Sequence, residues 1–191
     1  MARAKVSAER LRIFSDAVFA VLITVLVLEL HPPHQYTLQA LLQLWPTWLS
    51  YALSYLFVAV VWINHHHLMR YASEATPRLI WINFAFLFSV SLFPLATAWM
   101  AASELAPQPV AFYAAVSFLV NAAYIFLVRE LIGRTRHKDI TPRTRKIMRV
   151  RSIATLGLFA VATIVALIYP LAALGICCIC LIVYLKPDAE I

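Results

Sequence analysis

Arg10, Phe14, Ser15 and Asp16 form an R-x-x-x-F-S-D string at the mouth of an apolar run from Ala17 to Leu28. A carboxylate at the threshold of a bilayer is costly unless it is paired or hydrated, so it marks a functional site by default. The run behind it holds one polar residue, Thr24. A helix that opens on a charged cluster and continues as an apolar tube with one hydroxyl can line a pore. A second polar string, Trp62-Ile63-Asn64-His65-His66-His67, closes the next apolar run. With the first helix running outward and the second returning, both strings arrive at one depth. There a carboxylate, a guanidinium, an amide and imidazoles can satisfy one another by hydrogen bonds, the usual fate of polar groups inside membrane bundles. Asp16 is expected to pair with His65, His66 or Arg10, in the same or a neighbouring subunit. Two roles stay open for the cluster: setting helix register, and gating or proton sensing.

Other chemistry is poorly supported. Adjacent helical residues point about 100° apart, so three consecutive histidines cannot face one ion, and no metal site is expected. Bis-histidine haem needs a facing histidine at similar depth, and His31, His34 and His137 all fall in loops. Cys177, Cys178 and Cys180 lie in the last apolar run without a metal or redox spacing and read as small helix residues. Gly133, Gly157 and Gly175 build neither a phosphate loop nor a glycine-rich carbonyl filter. Glu29 and Glu130 sit at span ends, so no paired carboxylates accompany Asp16. The chain is not expected to be an enzyme or to carry a cofactor.

The elements that position these residues are membrane helices. Of 191 residues, 63% are hydrophobic and only 13% charged, and the mean hydropathy is +0.81. A soluble domain sits nearer half apolar. The first run lacks a small-x-small cleavage site before Pro32, so it reads as a retained helix rather than a signal peptide. A spanning helix needs about 20 mostly apolar residues. Six candidates make one all-α domain over residues 1–191: Phe14–Leu30, Trp45–His67, Leu79–Ala101, Pro109–Glu130, Ser152–Tyr169 and Pro170–Leu185. Pro170 divides the last apolar stretch into a tight helical hairpin. All 16 lysines and arginines fall before the first helix, between the second and third, between the fourth and fifth, or after the sixth. The alternate loops have none, so six spans with both termini cytoplasmic satisfy the positive-inside rule. The net charge of +7 therefore points to topology rather than to nucleic acid. The longest basic stretch, Arg134 to Arg151, is expected at the cytoplasmic lipid surface, with a specific lipid or regulator site as the alternative to plain topology.

On the first helix, Val21, Thr24, Val25 and Leu28 recur at i, i+3, i+4 and i+7 and share one face. Asp16 points roughly 130° away from it. Taken alone, such a stripe serves packing or lipid contact as readily as a pore.

The string from Arg10 to Asp16, followed by Ala17-Val18-Phe19-Ala20-Val21-Leu22-Ile23-Thr24-Val25-Leu26-Val27-Leu28-Glu29, resembles the first helix of the transmembrane protein 175 family of potassium channels. Trp62-Ile63-Asn64-His65-His66 is similar to that family's second signature, and the resemblance covers essentially the whole chain. It implies a potassium-permeable cation channel in the bacterial plasma membrane, without a carbonyl filter, assembled as a homotetramer of single six-helix units. The first helix of each unit would line the pore, with the apolar constriction at Val21 and Val25 and Leu28 further out. Thr24 would contribute to potassium preference. Arg10, Phe14, Ser15, Asp16, Trp62, Asn64, His65 and His66 would make the interhelical network. Val21 departs from the family, which more often has isoleucine or leucine there, so the ring is expected to be wider. The rival reading is a proton-coupled secondary transporter using Asp16 and the histidines of the second helix.

Overall fold

The computed structural model describes residues 7–134 and 142–185. Arg3 and Lys5, the stretch 135–141 and Lys186, all part of the topology argument, lie outside them. The described chain is helical, with no strand: α1 Ala8–Leu28, α2 Leu38–Gln43, α3 Trp45–Met69, α4 Pro77–Ser91, α5 Phe93–Ala102, α6 Pro107–Arg134, α7 Pro142–Ala166 and α8 Pro170–Tyr184. Among the described residues, five segments are long and apolar enough to cross a membrane: α1, α3, the α4–α5 pair, α6 and α7; α8 is apolar but shorter. The chain is a multi-pass membrane protein.

Proline places most of the helix starts. Each helix from α3 to α8 begins with proline at its first or second position, where the missing N–H is no loss and the fixed φ favours entry. Hydroxyl caps do the rest. Ser7, Thr37 and Thr76 accept the backbone N–H three residues on, opening α1, α2 and α4.

These signals correct several boundaries. The first helix starts at Ala8 rather than Phe14, because Ser7 caps it and Glu9 suits the positive helix N-terminus. It ends at Leu28, with Glu29 as its C-cap. The expected third helix is two. Pro94 cannot donate to the Val90 carbonyl, and the helix breaks at Leu92 between α4 and α5. The fourth runs longer at both ends, from Pro107 to Arg134, and the fifth starts at Pro142 and stops at Ala166. Its basic first turns are helical because charge is no obstacle to a helix in water or at headgroup level. The short α2 has no counterpart in the six expected spans.

α1 packs on α3, α4 and α5, while α6 packs on α4 and α5 and on the antiparallel α7–α8 pair, with α8 closing back onto α3. α7 and α8 join through Leu167–Tyr169, the hairpin that Pro170 dictates. The centre is aromatic. Phe57 and Phe93 pack at a tilt with ring centroids 4.5 Å apart, Phe93 meets Tyr113 edge-on at 5.4 Å, and all three are buried. Contacts such as Asp16–Trp62, Arg78–Glu130 and Arg151–Val183 gather the starts of α1, α4 and α7 with the ends of α3, α6 and α8. One end of the bundle is therefore the polar one.

Candidate functional site

α1 has two faces. Leu11, Ser15, Phe19, Leu22 and Leu26 are buried, a helical stripe set by the 3.6-residue repeat. At the foot of this stripe a chain of hydrogen bonds runs through three helices. The Ser15 hydroxyl donates to the Leu11 carbonyl at 2.8 Å. Asn83 Nδ2, on α4, donates to Ser15 Oγ at 2.9 Å. Asn83 Oδ1 lies 2.8 Å from His65 Nε2, on α3, which makes Nε2 the donor. Ser15, His65 and Asn83 are all fully buried. The His65 ring lies parallel to Phe86 at 5.1 Å and against Phe19 at 5.6 Å. Phe86 and Phe19, whose rings are 6.2 Å apart, pack with the imidazole as an aromatic trio, and the Asn83 bond fixes the direction of its N–H.

Asp16 begins a second, more accessible arm. Trp62 Nε1 donates to Asp16 Oδ1 at 2.8 Å, and His66 Nδ1 lies 3.5 Å from Oδ2 with both side chains about a third exposed. The Trp62 and His66 rings are 5.5 Å apart. Phe14, on the same end of α1, meets Phe84 of α4 at 5.4 Å.

The sequence-predicted residues thus divide into two arms rather than one cluster. Asp16 faces His66 and Trp62, and His65 turns to Asn83. His67 contacts the Ile63 carbonyl at 2.7 Å. The three histidines diverge as their helical spacing requires. Asn64 points elsewhere, donating to the carbonyls of Val60 at 2.8 Å and of Tyr184, on α8, at 3.0 Å. The exposed Arg10 side chain has no hydrogen-bond or ion-pair partner among the described residues. No group of three or more His, Cys, Asp or Glu could hold a metal among the described residues.

Asn83 was missed by sequence reading, although it joins both other helices. Its signal was available: a lone asparagine in an apolar run, Trp81-Ile82-Asn83-Phe84, is tolerated in a bundle when it has partners. The same signal marks Asn121, which donates to Thr155 Oγ1 at 2.9 Å and to the Tyr184 hydroxyl at 3.4 Å, tying α6 to α7 and α8.

The other face of α1 is bare. Ala17, Ala20, Val21, Thr24, Val27 and Leu28 are exposed and Val25 half-buried, with Val21 at 59% and Leu28 at 73%. Along this apolar strip the Thr24 hydroxyl donates to the Val21 carbonyl at 2.7 Å. Its proton is thereby committed to the backbone, and its oxygen lone pairs remain on the exposed side. A hydroxyl so arranged accepts, and can face a cation.

Residues 10–94, from the first turn of α1 into α5, match the family described as "Endosomal/lysosomal potassium channel TMEM175". A potassium channel of Chryseobacterium sp. (strain P1-3) is 29% identical over 182 residues, spanning 95% of this chain and 94% of that one. A potassium channel of Chamaesiphon minutus is 33% identical over 105 residues, 52% of each chain. The crystal structure of a lysosomal potassium-selective channel TMEM175 homolog from Chamaesiphon minutus superposes with a TM-score of 0.80 at 26% identity, covering 93% of this chain and 95% of that one.

Proposed function

We propose that this chain, which is similar to TMEM175 channels, is a potassium channel whose pore is lined by the bare face of α1 from several copies. The observation that carries this reading is the asymmetry of that helix. Its inner face is fixed by the Ser15–Asn83–His65 chain and its flank by Asp16, while its opposite face presents Val21, Thr24 and Leu28 exposed and Val25 half-buried among the described residues. A rigidly held helix with an unpartnered apolar strip is what a pore-lining element requires.

The remaining parts of the proposal follow from it. The fold crosses the membrane six times, with α8 as the sixth span and both termini cytoplasmic. At 15 residues, α8 reaches about 22 Å, and the apolar Leu167, Ile168 and Tyr169 before it extend its reach. Four copies surround the axis in the cell membrane as a homotetramer, and Arg10 finds its partner on a neighbouring copy. Val21 forms the constriction, and such an apolar ring gates by dewetting. Thr24 offers one lone-pair-bearing oxygen per copy beside that ring and biases permeation toward potassium. Conduction is passive and calls for no cofactor. Asp16, Trp62 and His66 hold α1 in place.

The test is cation flux into liposomes holding the purified full-length chain. Val21→Asn wets the ring and raises flux, whereas Val18→Asn, on a half-buried face that packs on the core, changes it less. Equal changes from both substitutions would remove the strip from the pore.

A further inference from the structure

The basic residues at the polar end of the bundle do not all serve topology alone. Some are already engaged within the fold. Arg78 Nε lies 3.1 Å from the buried Glu130 carboxylate. Arg151 places its guanidinium 4.5 Å above the Tyr184 ring and donates to the Val183 carbonyl at 3.4 Å. Arg129 and Arg149 have no hydrogen-bond or ion-pair partner among the described residues. Both line a groove of about 380 Å³ between the end of α6 and the start of α7, together with Arg145. Apart from Ser152, its other described lining is uncharged and mostly apolar, including Ile132, Met148 and Ile153, and it contains no acidic residue.

That combination selects a ligand. The volume lies within the range of small-molecule sites, about 300–1,000 Å³. Guanidinium groups pair bidentately with phosphate oxygens. Arg149 lies one helical turn before Ser152, where the apolar part of α7 begins, so the groove sits at headgroup depth. Below it, Ile153 is exposed along the flank of α7, a surface for an acyl chain. A soluble anion would use the charge and leave that flank uncovered.

We propose that this groove is a binding site for an anionic membrane phospholipid. Its phosphate sits between Arg129, Arg145 and Arg149, and its acyl chain runs down the outer face of α7. Bound lipid bridges the end of α6 and the start of α7. It acts on the side of the bundle away from α1, so it requires no particular role for the pore strip.

The experiment is native mass spectrometry of the purified full-length chain, titrated with phosphatidylglycerol or phosphatidylcholine in neutral detergent. The parent binds phosphatidylglycerol more tightly than phosphatidylcholine. Arg129→Gln and Arg149→Gln each weaken phosphatidylglycerol about five-fold, and together roughly thirty-fold, as expected for removing one surface cation at a time from an anionic headgroup. Arg70→Gln/Lys146→Gln, which removes the same charge outside the groove, changes affinity by less than about two-fold on the same scale. Inorganic phosphate competes weakly because it has no chain to bury. Undiminished phosphatidylglycerol binding in the single and double groove variants would overturn the proposal. So would an equal loss in the Arg70/Lys146 control, which would mean a diffuse field, or displacement by phosphate as effective as by lipid, which would mean a bare anion site.

Discussion

Removing Asn83 tests how α1 is held. In Asn83→Ala the His65 Nε2–H loses its acceptor at 2.8 Å, inside a site with no exposed surface. A buried donor left unsatisfied costs about 1–3 kcal/mol. Ser15 loses the N–H that reaches its oxygen, but keeps its own bond to the Leu11 carbonyl. That loss is worth about 0.6 kcal/mol, the mean for a side-chain hydrogen bond in a membrane bundle. The sum is about 2–4 kcal/mol. Replacing both polar partners by apolar groups is far cheaper than orphaning one of them, so His65→Leu/Asn83→Leu recovers at least half of the loss. Denaturant titration of the purified protein in mild detergent, read by helical circular dichroism, gives both numbers. Asn83→Ala within about 0.5 kcal/mol of the parent, the ordinary range for a surface substitution, would mean that these bonds do not hold α1. A double variant less stable than Asn83→Ala would point the same way.

Three further outcomes are expected. Asp16→Ala loses the Trp62 and His66 contacts; because those side chains are about a third exposed, the cost is about 1–2 kcal/mol, below that of a fully buried pair, and size-exclusion chromatography after heating shows a less stable assembly whose flux falls in proportion. A well-assembled Asp16→Ala protein with abolished flux would favour the proton-coupled transporter instead. Thr24→Val removes the lone pairs beside the ring and lowers potassium preference over sodium, whereas Thr24→Ser retains it; reversal potentials under mixed potassium and sodium gradients decide, and identical values for all three proteins would take Thr24 out of the pathway. Glu104 adopts φ of 52° in the turn between α5 and α6, a left-handed conformation that costs a non-glycine residue about 1 kcal/mol, so Glu104→Gly raises thermal stability, and a lowered melting temperature would contradict that.

Much of this was legible in the amino-acid sequence, for identifiable reasons. Apolar runs report the membrane helices because backbone polar groups must be satisfied inside the segment. The divergence of the three histidines follows from helix geometry. The strings at Arg10–Asp16 and Trp62–His66 mark two elements whose polar ends had to meet. What was hidden depends on distance along the chain. His65 and Asn83 are 18 residues apart and Ser15 and Asn83 68, and no local pattern says which of the histidines takes the carboxylate. His65 is turned toward α4 by the stack on Phe86, a tertiary effect. The hinge at Leu92 was readable from Pro94. The helical start of α7 was obscured because its charges read as a loop, although Thr141-Pro142 is a helix-entry signal.

Whether the bare face of α1 lines a potassium pathway is measured directly by cysteine accessibility under current. Val21→Cys, Leu28→Cys and Leu22→Cys are placed singly in the full-length chain, reconstituted in a planar bilayer under a potassium gradient and exposed to silver ions. The parent, with its three native cysteines, sets the background. A potassium current is expected without a proton gradient, blocked in Val21→Cys and Leu28→Cys and unaffected in Leu22→Cys, whose side chain faces the core. A current that silver leaves untouched at positions 21 and 28, or no potassium current until a proton gradient is applied, would contradict a potassium pathway along this face.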